Sequence, residues 1–499
     1  MRKTTIAILL FLFSVSALAN GIINVKDFGA KADGINDDTK AIQAAINHAV
    51  AGSATTIYFP KGNYNIASFT ATSNYLKNFC IAVHSNISIK GDGGETIIRL
   101  ADHLFDKQDT SANAHIFFCE AAENVQFSDL LIDMNGSNNL VPMNVIKNSS
   151  AIFAYNGKNF IIKNVTIKNC AGTNMIDFQH EGTNFLIENC RFINGGNYVG
   201  NPTANKGQID FSFVYSEWSH TIIQDNFIQQ QNIDIALQNY TAGIELHGSG
   251  SSATGNYIQG CWPAMYVTSI LKPLNGINIE NNTMADCLSG VIFFVNDVIK
   301  NVKIENNTIH LTWPRNSILD FCTGIRVPNG NSKEYTKELA NLSPIYDIQI
   351  IGNTISADSM QTLTMGMLLH SMHESVISGN LIKQMNYGGI VLQGSKWGTD
   401  SLLVEKNIFF DFRPNYHPTA IGGYVIITDT YSSSQANAIS FKNVIFKKNR
   451  FMGNVLNVKE DKNFSAVYIA LPKHAKNDIE FKENYFSNKN ESLRRVETE

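Results

Sequence analysis

The 499-residue sequence has no cysteine pair at CxxC spacing, no basic block, no second long apolar run after its first residues, and almost no helical periodicity. Each absence excludes something. The seven cysteines (Cys80, Cys119, Cys170, Cys190, Cys261, Cys287 and Cys322) are an odd number scattered singly. They read as small buried apolar residues, leave room for one disulfide and speak against a zinc site. The formal charge of −4 becomes −6 once Arg2 and Lys3 are cleaved away, so nucleic acid is not the expected partner. Without a further apolar run, no membrane span is expected. What stands at the start is MRKTTIAILLFLFSVSALAN, with two cationic residues, an apolar run from Ile6 to Val15 and the small-residue site Ala17-Leu18-Ala19. Residues 1–19 therefore read as a cleavable signal peptide, and cleavage after Ala19 leaves no terminal cysteine for a lipid anchor. A secreted or periplasmic protein is expected.

Length alone would suggest two or three domains, but a repeat overrides that count. One phrase returns along the chain: ENCRFI at Asn189, DNFI at Asn226, GNYI at Asn256, NNTM at Asn282, NNTI at Asn307, GNTI at Asn353, GNLI at Asn380, KNIF at Asn407, KNRF at Asn449 and ENYF at Asn484. Each unit carries two or three short runs of Ile, Val, Phe and Leu at period 2, broken by Gly and Asn. A unit so short cannot bury its own apolar face, whereas stacked coils make a continuous core. A stacked asparagine can also bond its amide to the coils above and below. The reading is an all-β solenoid of parallel strands, a β-helix of roughly a dozen coils. An antiparallel sandwich would account for the alternation but not for the recurring asparagine.

Residues 20–60 differ. After a short strand, Asp37 and Asp38 are candidate helix N-caps, and Ile42, Ala45, Ile46, Ala49 and Val50 follow at helical spacing. One amphipathic helix here would cap the open first coil. Residues 61–486 are expected to form the solenoid and 487–499 a charged, frayed tail.

The segments NVKDFGAKADGINDDTKAIQAAINHA, TIYFPKGNYNI and SNISIKGDGGETIIRL resemble the opening of the pectate lyase-like β-helix superfamily, which includes polygalacturonase-type hydrolases, mannuronan C5-epimerases and phage depolymerases. The resemblance is dense over about residues 23–100; beyond them the repeat rhythm continues it. It implies a right-handed parallel β-helix acting on a polysaccharide or oligosaccharide.

Laying one strand of each coil over the next predicts the site. MIDFQHE, QIDFSFV, GIELHGS, AMYVTSI, GVIFFVN, GIRVPNG, GMLLHSM and GIVLQGS align with every inward residue apolar, and a one-residue slip would invert the faces. The outward column then reads Asp177, Asp210, Glu245, Tyr266, Ile292, Arg326, Leu368 and Val391, and the next one contains Gln179, Ser212, His247 and His370. Any one of these acids alone reads as a solvated outward residue. Three on successive coils, about 4.8 Å apart, repel one another and shift each other's pKa, which is characteristic of a site. Asp177, Asp210, Glu245 and His247 are thus the catalytic candidates. Tyr266, Arg326, His180, Trp262 and His370 are the candidates for binding substrate, each with a bland structural role as the competing reading. The inserts GGNYVGNPTANKG, HLTWPRNSILDFC and VPNGNSKEYTKELANLSP are expected to wall the cleft.

Such an acid ladder suits glycoside hydrolysis by a protonated and an ionised carboxyl, the slightly favoured reading, probed by Asp210→Ala. Resemblance to the polygalacturonase type carries over at Asp177 and Asp210, though paired Asp-Asp is absent. Elimination or C5 epimerisation of a uronate is the alternative, with His247 or Tyr266 as base and Arg326, or calcium held by the acids, neutralising the carboxylate. NMIDFQHEG resembles the epimerases' Tyr-x-x-Asp-x-His strand at Asp177, with Asn174 in the Tyr place and His180 one residue late. Otherwise no cofactor or metal is expected. A non-catalytic glycan-binding solenoid is a third reading.

Overall fold

Period-2 runs this short gain stability only by stacking, and they stack. The computed structural model describes residues 21–49, 55–104, 114–139, 149–170, 172–196, 211–231, 241–312, 321–327, 344–358, 363–395, 397–412, 422–428, 441–452, 464–472, 477–487 and 493–498. Each coil between residues 241 and 487 contributes three strands. Thr241–Leu246, Ser252–Thr254 and Tyr257–Gln259 pair in parallel with Met265–Thr268, Leu274–Glu280 and Thr283–Cys287. Repeated along the chain, this gives three ladders of parallel strands around one apolar interior. The fold is the parallel β-helix expected, right-handed as parallel crossover connections are.

The asparagine phrase is the coil-to-coil fastener. From Asn226 through Asn256, Asn282, Asn307, Asn353, Asn380, Asn407 and Asn449 to Asn484, each Nδ2 donates to the next Oδ1 at 2.9–3.0 Å. Each Oδ1 so engaged also accepts the backbone N–H of the asparagine before it. For Asn353 that bond, to Asn380, is 2.8 Å, and its Nδ2 also reaches the Ile304 carbonyl at 2.9 Å. The residue ahead of each asparagine is left-handed: Asp225, Gly255, Asn281, Asn306, Gly352 and Gly379 have φ of 55–68°, which Gly, Asn and Asp tolerate best. One coil departs from the expected register. Asn189 is itself the left-handed residue (φ 53°), and Cys190 takes the ladder place, its N–H donating to Asn226 Oδ1 at 2.9 Å.

The N-terminal helix is Thr39–His48, with Ile42, Ala45 and Ile46 buried against the first coils. Its caps differ in role from the expectation. Asp37 Oδ1 accepts from the Thr39 N–H at 2.9 Å, whereas Asp38 turns its carboxylate to the N–H groups of Lys31 and Ala32. Strand pairing begins ahead of residue 61, since Gly21–Asn24 already pairs with Thr55–Tyr58. At the other end, Leu493–Thr498, within the segment expected as a frayed tail, pairs in parallel with Phe464–Pro472. All seven cysteines are buried and free, with no disulfide. Residues 1–19, expected as a signal peptide, lie outside the described residues, among which no helix is long and apolar enough to cross a membrane.

Candidate active site

The first ladder carries the site. Its inward residues run Ile176, Val214, Ile244, Met265, Val291, Ile325, Met367 and Ile390, one per coil. The outward column beside them runs Asp177, Tyr215, Glu245, Tyr266, Ile292, Arg326, Leu368 and Val391. This is the expected register except on one coil, where Tyr215 occupies the position assigned to Asp210. Asp210 itself lies outside the described residues. The error has a physical source. The inward residue after Tyr215 is Ser216, fully buried with its hydroxyl 2.8 Å from Thr221 Oγ1 and accepting the Trp218 N–H. A filter that admits only apolar inward residues rejects that satisfied serine and selects Ile209 and Phe211 five residues too early.

A third carboxylate nonetheless joins the cluster. Glu217 follows Tyr215 by two residues, as His247 follows Glu245. Tyr215 Oη donates to Glu217 Oε1 at 2.8 Å, and Glu217 Oε2 accepts the His180 N–H at 2.6 Å. On the next coil, His247 Nε2 lies 2.9 Å from Glu245 Oε1, and Ser212 Oγ donates to Glu245 Oε2 at 2.6 Å. A carboxylate only accepts, so this bond places the imidazole proton on Nε2. His247 Nδ1 is then buried with no hydrogen-bond partner and, in the neutral ring, carries the lone pair. The Tyr215 and His247 rings are 4.7 Å apart. Sequence reasoning missed Tyr215 and Glu217; the signal was present, since Tyr-Ser-Glu repeats the outward-inward-outward spacing of Glu-Leu-His.

The cluster is largely sunk into the wall rather than standing in an open trough. Asp177, Glu245 and His247 are 0%, 6% and 3% exposed, while Tyr215, Glu217, Gln179 and Tyr266 are half-buried and face outward. Burial pushes the Asp177 carboxyl up to about 7, against the opposing amides of Asn174 and Gln179, with the charges of Glu217 and Glu245 adding to the rise. Gln179 Nε2 donates to Asp177 Oδ2 at 3.2 Å, and Oδ1 has no partner. Burial, then the neighbouring carboxylates, hold the Tyr215 phenol far above its ordinary value, so it keeps its proton. Two coils separate Asp177 from Glu245, about 10 Å along the axis.

Other expected residues stand farther off. His180 is exposed in a left-handed turn (φ 62°), its ring 4.2 Å from Tyr155. Trp262 is buried, not presented as a sugar platform, and precedes a cis proline. Tyr266 follows Glu245 in the column; Arg326 is three coils beyond Glu245, with His370 close to it. Among the described residues no group of three or more His, Cys, Asp and Glu is placed to hold a metal ion. The three inserts expected to wall the cleft lie largely outside the described residues.

Comparison with known proteins follows the same lines. Over 116 residues the chain is 41% identical to mannuronan C5-epimerase AlgE2 of Azotobacter vinelandii, a match spanning 23% of this chain and 11% of that protein. Over 333 residues it is 26% identical to plasmin and fibronectin-binding protein A of Streptococcus pneumoniae, spanning 64% of this chain and 44% of the other. Among solved structures it superimposes on the tailspike protein of E. coli bacteriophage HK620, determined with a pentasaccharide, with a TM-score of 0.64 and 15% identity over 93% of this chain and 78% of the tailspike. Residues 22–292, more than half the chain, match the family described as rhamnogalacturonase A/epimerase, pectate lyase-like. The chain belongs to the rhamnogalacturonase A/epimerase, pectate lyase-like family.

Proposed function

We propose that the protein is a secreted polysaccharide-processing enzyme that removes the C5 proton of a uronate residue, leading to elimination or epimerisation. The observation that carries this reading is the pair His247 and Tyr215: an imidazole whose Nε2 proton is tied to Glu245, leaving Nδ1 as a base, packed against a phenol that keeps its proton. His247 Nδ1, covered in the unbound chain, takes the proton from C5 once the sugar is seated against it. In elimination, the electrons of that C–H bond form the C4–C5 double bond, the C4–O bond breaks, and Tyr215 gives its proton to the departing oxygen. In epimerisation Tyr215 instead returns a proton to the opposite face of C5. Asp177, fully buried beneath the cluster and protonated below about 7, adds no negative charge beneath the uronate carboxylate on which charge builds up. The 41% identity to a mannuronan C5-epimerase over 116 residues supports a uronate substrate.

Hydrolysis is the second reading, favoured by the separation of Asp177 and Glu245, close to that of inverting glycosidases. Against it stands Tyr215, which lies between the two carboxyls and is more exposed than either. The test is incubation of the secreted protein with polyuronates and with neutral glycans, following unsaturated products, reducing ends and the C5 configuration together. Unsaturated ends or inverted C5 centres on polyuronates are expected. Saturated reducing ends alone would establish hydrolysis, and binding without conversion would establish a glycan-binding solenoid.

A further inference from the structure

Ser212 carries a hydroxyl inside the catalytic cluster that the mechanism above leaves unused. It lies three residues before Tyr215 on the same strand, in register with Asn174 on the coil before and Ala242 on the coil after, and is buried. Its backbone N–H donates to the Thr173 carbonyl at 3.1 Å and to Asn174 Oδ1 at 3.2 Å. The hydroxyl crosses to the next coil and donates to Glu245 Oε2 at 2.6 Å, while Glu245 Oε1 accepts from His247 Nε2 at 2.9 Å. These are the three residue types of a hydrolytic triad, wired in another order. In such a triad the imidazole stands between the serine and the carboxylate and takes the hydroxyl proton. Here the carboxylate stands between, so the imidazole that would activate the serine does not touch it. What the bond does is mechanical. A carboxylate held at one oxygen can swing about its Cγ–Cδ bond, and a second fixed partner stops that swing. Glu245 is itself buried, so the serine fills a place where an unpaired oxygen would be costly.

We propose that Ser212 is a positioning residue, which through Glu245 keeps the His247 proton on Nε2 and aims the Nδ1 lone pair at C5 of the sugar. No bond of the serine forms or breaks in the reaction, and its hydroxyl touches neither the sugar nor the reacting atoms. Its loss therefore acts on kcat and leaves KM unchanged. The base is in this way aimed from three successive coils, Asn174 holding Ser212, Ser212 holding Glu245 and Glu245 holding His247. This rests on the proton-abstraction reading above, and the test separates the two.

The full chain, with histidine isotope-labelled at the ring nitrogens, is observed by NMR in mildly alkaline buffer, where the nitrogen shifts report the tautomer. The His247 signals are those lost in His247→Gln. The wild type should carry the proton on Nε2, which is read without altering Ser212 at all, and Ser212→Ala should show a mixture of both tautomers. On polymannuronate, Ser212→Ala should lower kcat about tenfold, as for one lost bond to a charged group, with KM unchanged. Ser212→Thr, which keeps a hydroxyl, should recover part of the rate. In a Glu245→Ala background Ser212→Ala should cost nothing further, since it acts through that carboxylate. A wild-type proton on Nδ1 overturns both the positioning role and His247 as base. A tautomer and a rate both unmoved by Ser212→Ala overturn the role of Ser212 alone. Turnover abolished by Ser212→Ala and blocked in the wild type by a sulfonyl fluoride would make the serine a nucleophile and overturn it likewise. A tautomer that shifts in Ser212→Ala, with no polyuronate converted by the wild type, upholds the positioning and overturns the catalytic reading.

Discussion

At the scale of single residues, the two readings of the chemistry make opposite demands on Asp177. A general acid must give up its proton, so Asp177→Asn would abolish hydrolysis. A buried group that need only stay uncharged is replaced by an amide at little cost, so under the proposed mechanism Asp177→Asn should retain at least about a tenth of wild-type turnover and lose the fall in rate as pH rises through about 7. The same group leaves a mark on stability. Its pKa is raised above the ordinary 3.8, so between that value and about 7 the folded chain holds a proton that the unfolded chain has released. Stability is therefore fullest below that window and falls as pH rises through it, by at most about 1.4 kcal/mol per pH unit. Thermal melting across this range should show the decline in the wild type and a flatter profile in Asp177→Asn. His247→Gln and Tyr215→Phe should each lower turnover about a hundredfold or more while leaving the melting temperature near that of the wild type. Asp177, Glu245 and His247 were legible in the sequence because apolar inward neighbours fixed their register. Tyr215 was not, because its inward neighbour Ser216 is polar and hydrogen-bonded inside the wall, and no pattern of hydropathy distinguishes a satisfied buried serine from an exposed one.

At the scale of the element, the repeating asparagine carried most of the fold. Its hydrogen-bonding capacity, two donors and an acceptor, matches a place where coils meet with backbone groups to satisfy on both sides, which is why the phrase could be read as a coil marker. What it did not mark was the one coil where Cys190 holds the position; its thiol reaches the Ile162 and Glu188 carbonyls at 3.5 and 3.3 Å, but as a weak donor and acceptor it is not read as an amide's stand-in. Asn353→Leu removes the bonds to Asn380 Oδ1 and to the Ile304 and Ile351 carbonyls, and takes the Oδ1 acceptor from both the N–H and the Nδ2 of Asn307. It should cost about 3 kcal/mol or more, with the buried Asn307 N–H unsatisfied and the other bonds lost, measured as a shift in denaturant midpoint. A small residue just before the inward apolar residue on six first-ladder strands, Gly243, Ala264, Gly290, Gly324, Gly366 and Gly389, is a second marker. A Cβ on Gly324 would lie 2.6 Å from the Gly366 carbonyl of the next coil, so Gly324→Ala forces coils apart, and destabilisation of similar size is expected there.

At the scale of the whole molecule, a solenoid has two ends and its interior must be closed at both. The helix Thr39–His48 lays Ile42, Ala45 and Ile46 on the first coils, and a charge placed there is buried without a partner. Ile46→Asp should therefore expose the end of the stack, with self-association visible by light scattering. The capping helix was readable from its 3.6-residue spacing, whereas the C-terminal strand Leu493–Thr498 was hidden by its charges, which suit an edge strand as well as a tail. Under the proposed mechanism the stacking makes the site, because only the pile of coils brings residues 177, 215 and 245 together. The most direct test of that conclusion is to incubate the protein with a polyuronate in deuterium oxide and measure deuterium at C5 of the sugars, or its loss to a double bond, by mass spectrometry and NMR. Incorporation at C5 or unsaturated ends, dependent on His247 and Tyr215, is the expected result; chain scission with every C5–H retained would contradict it.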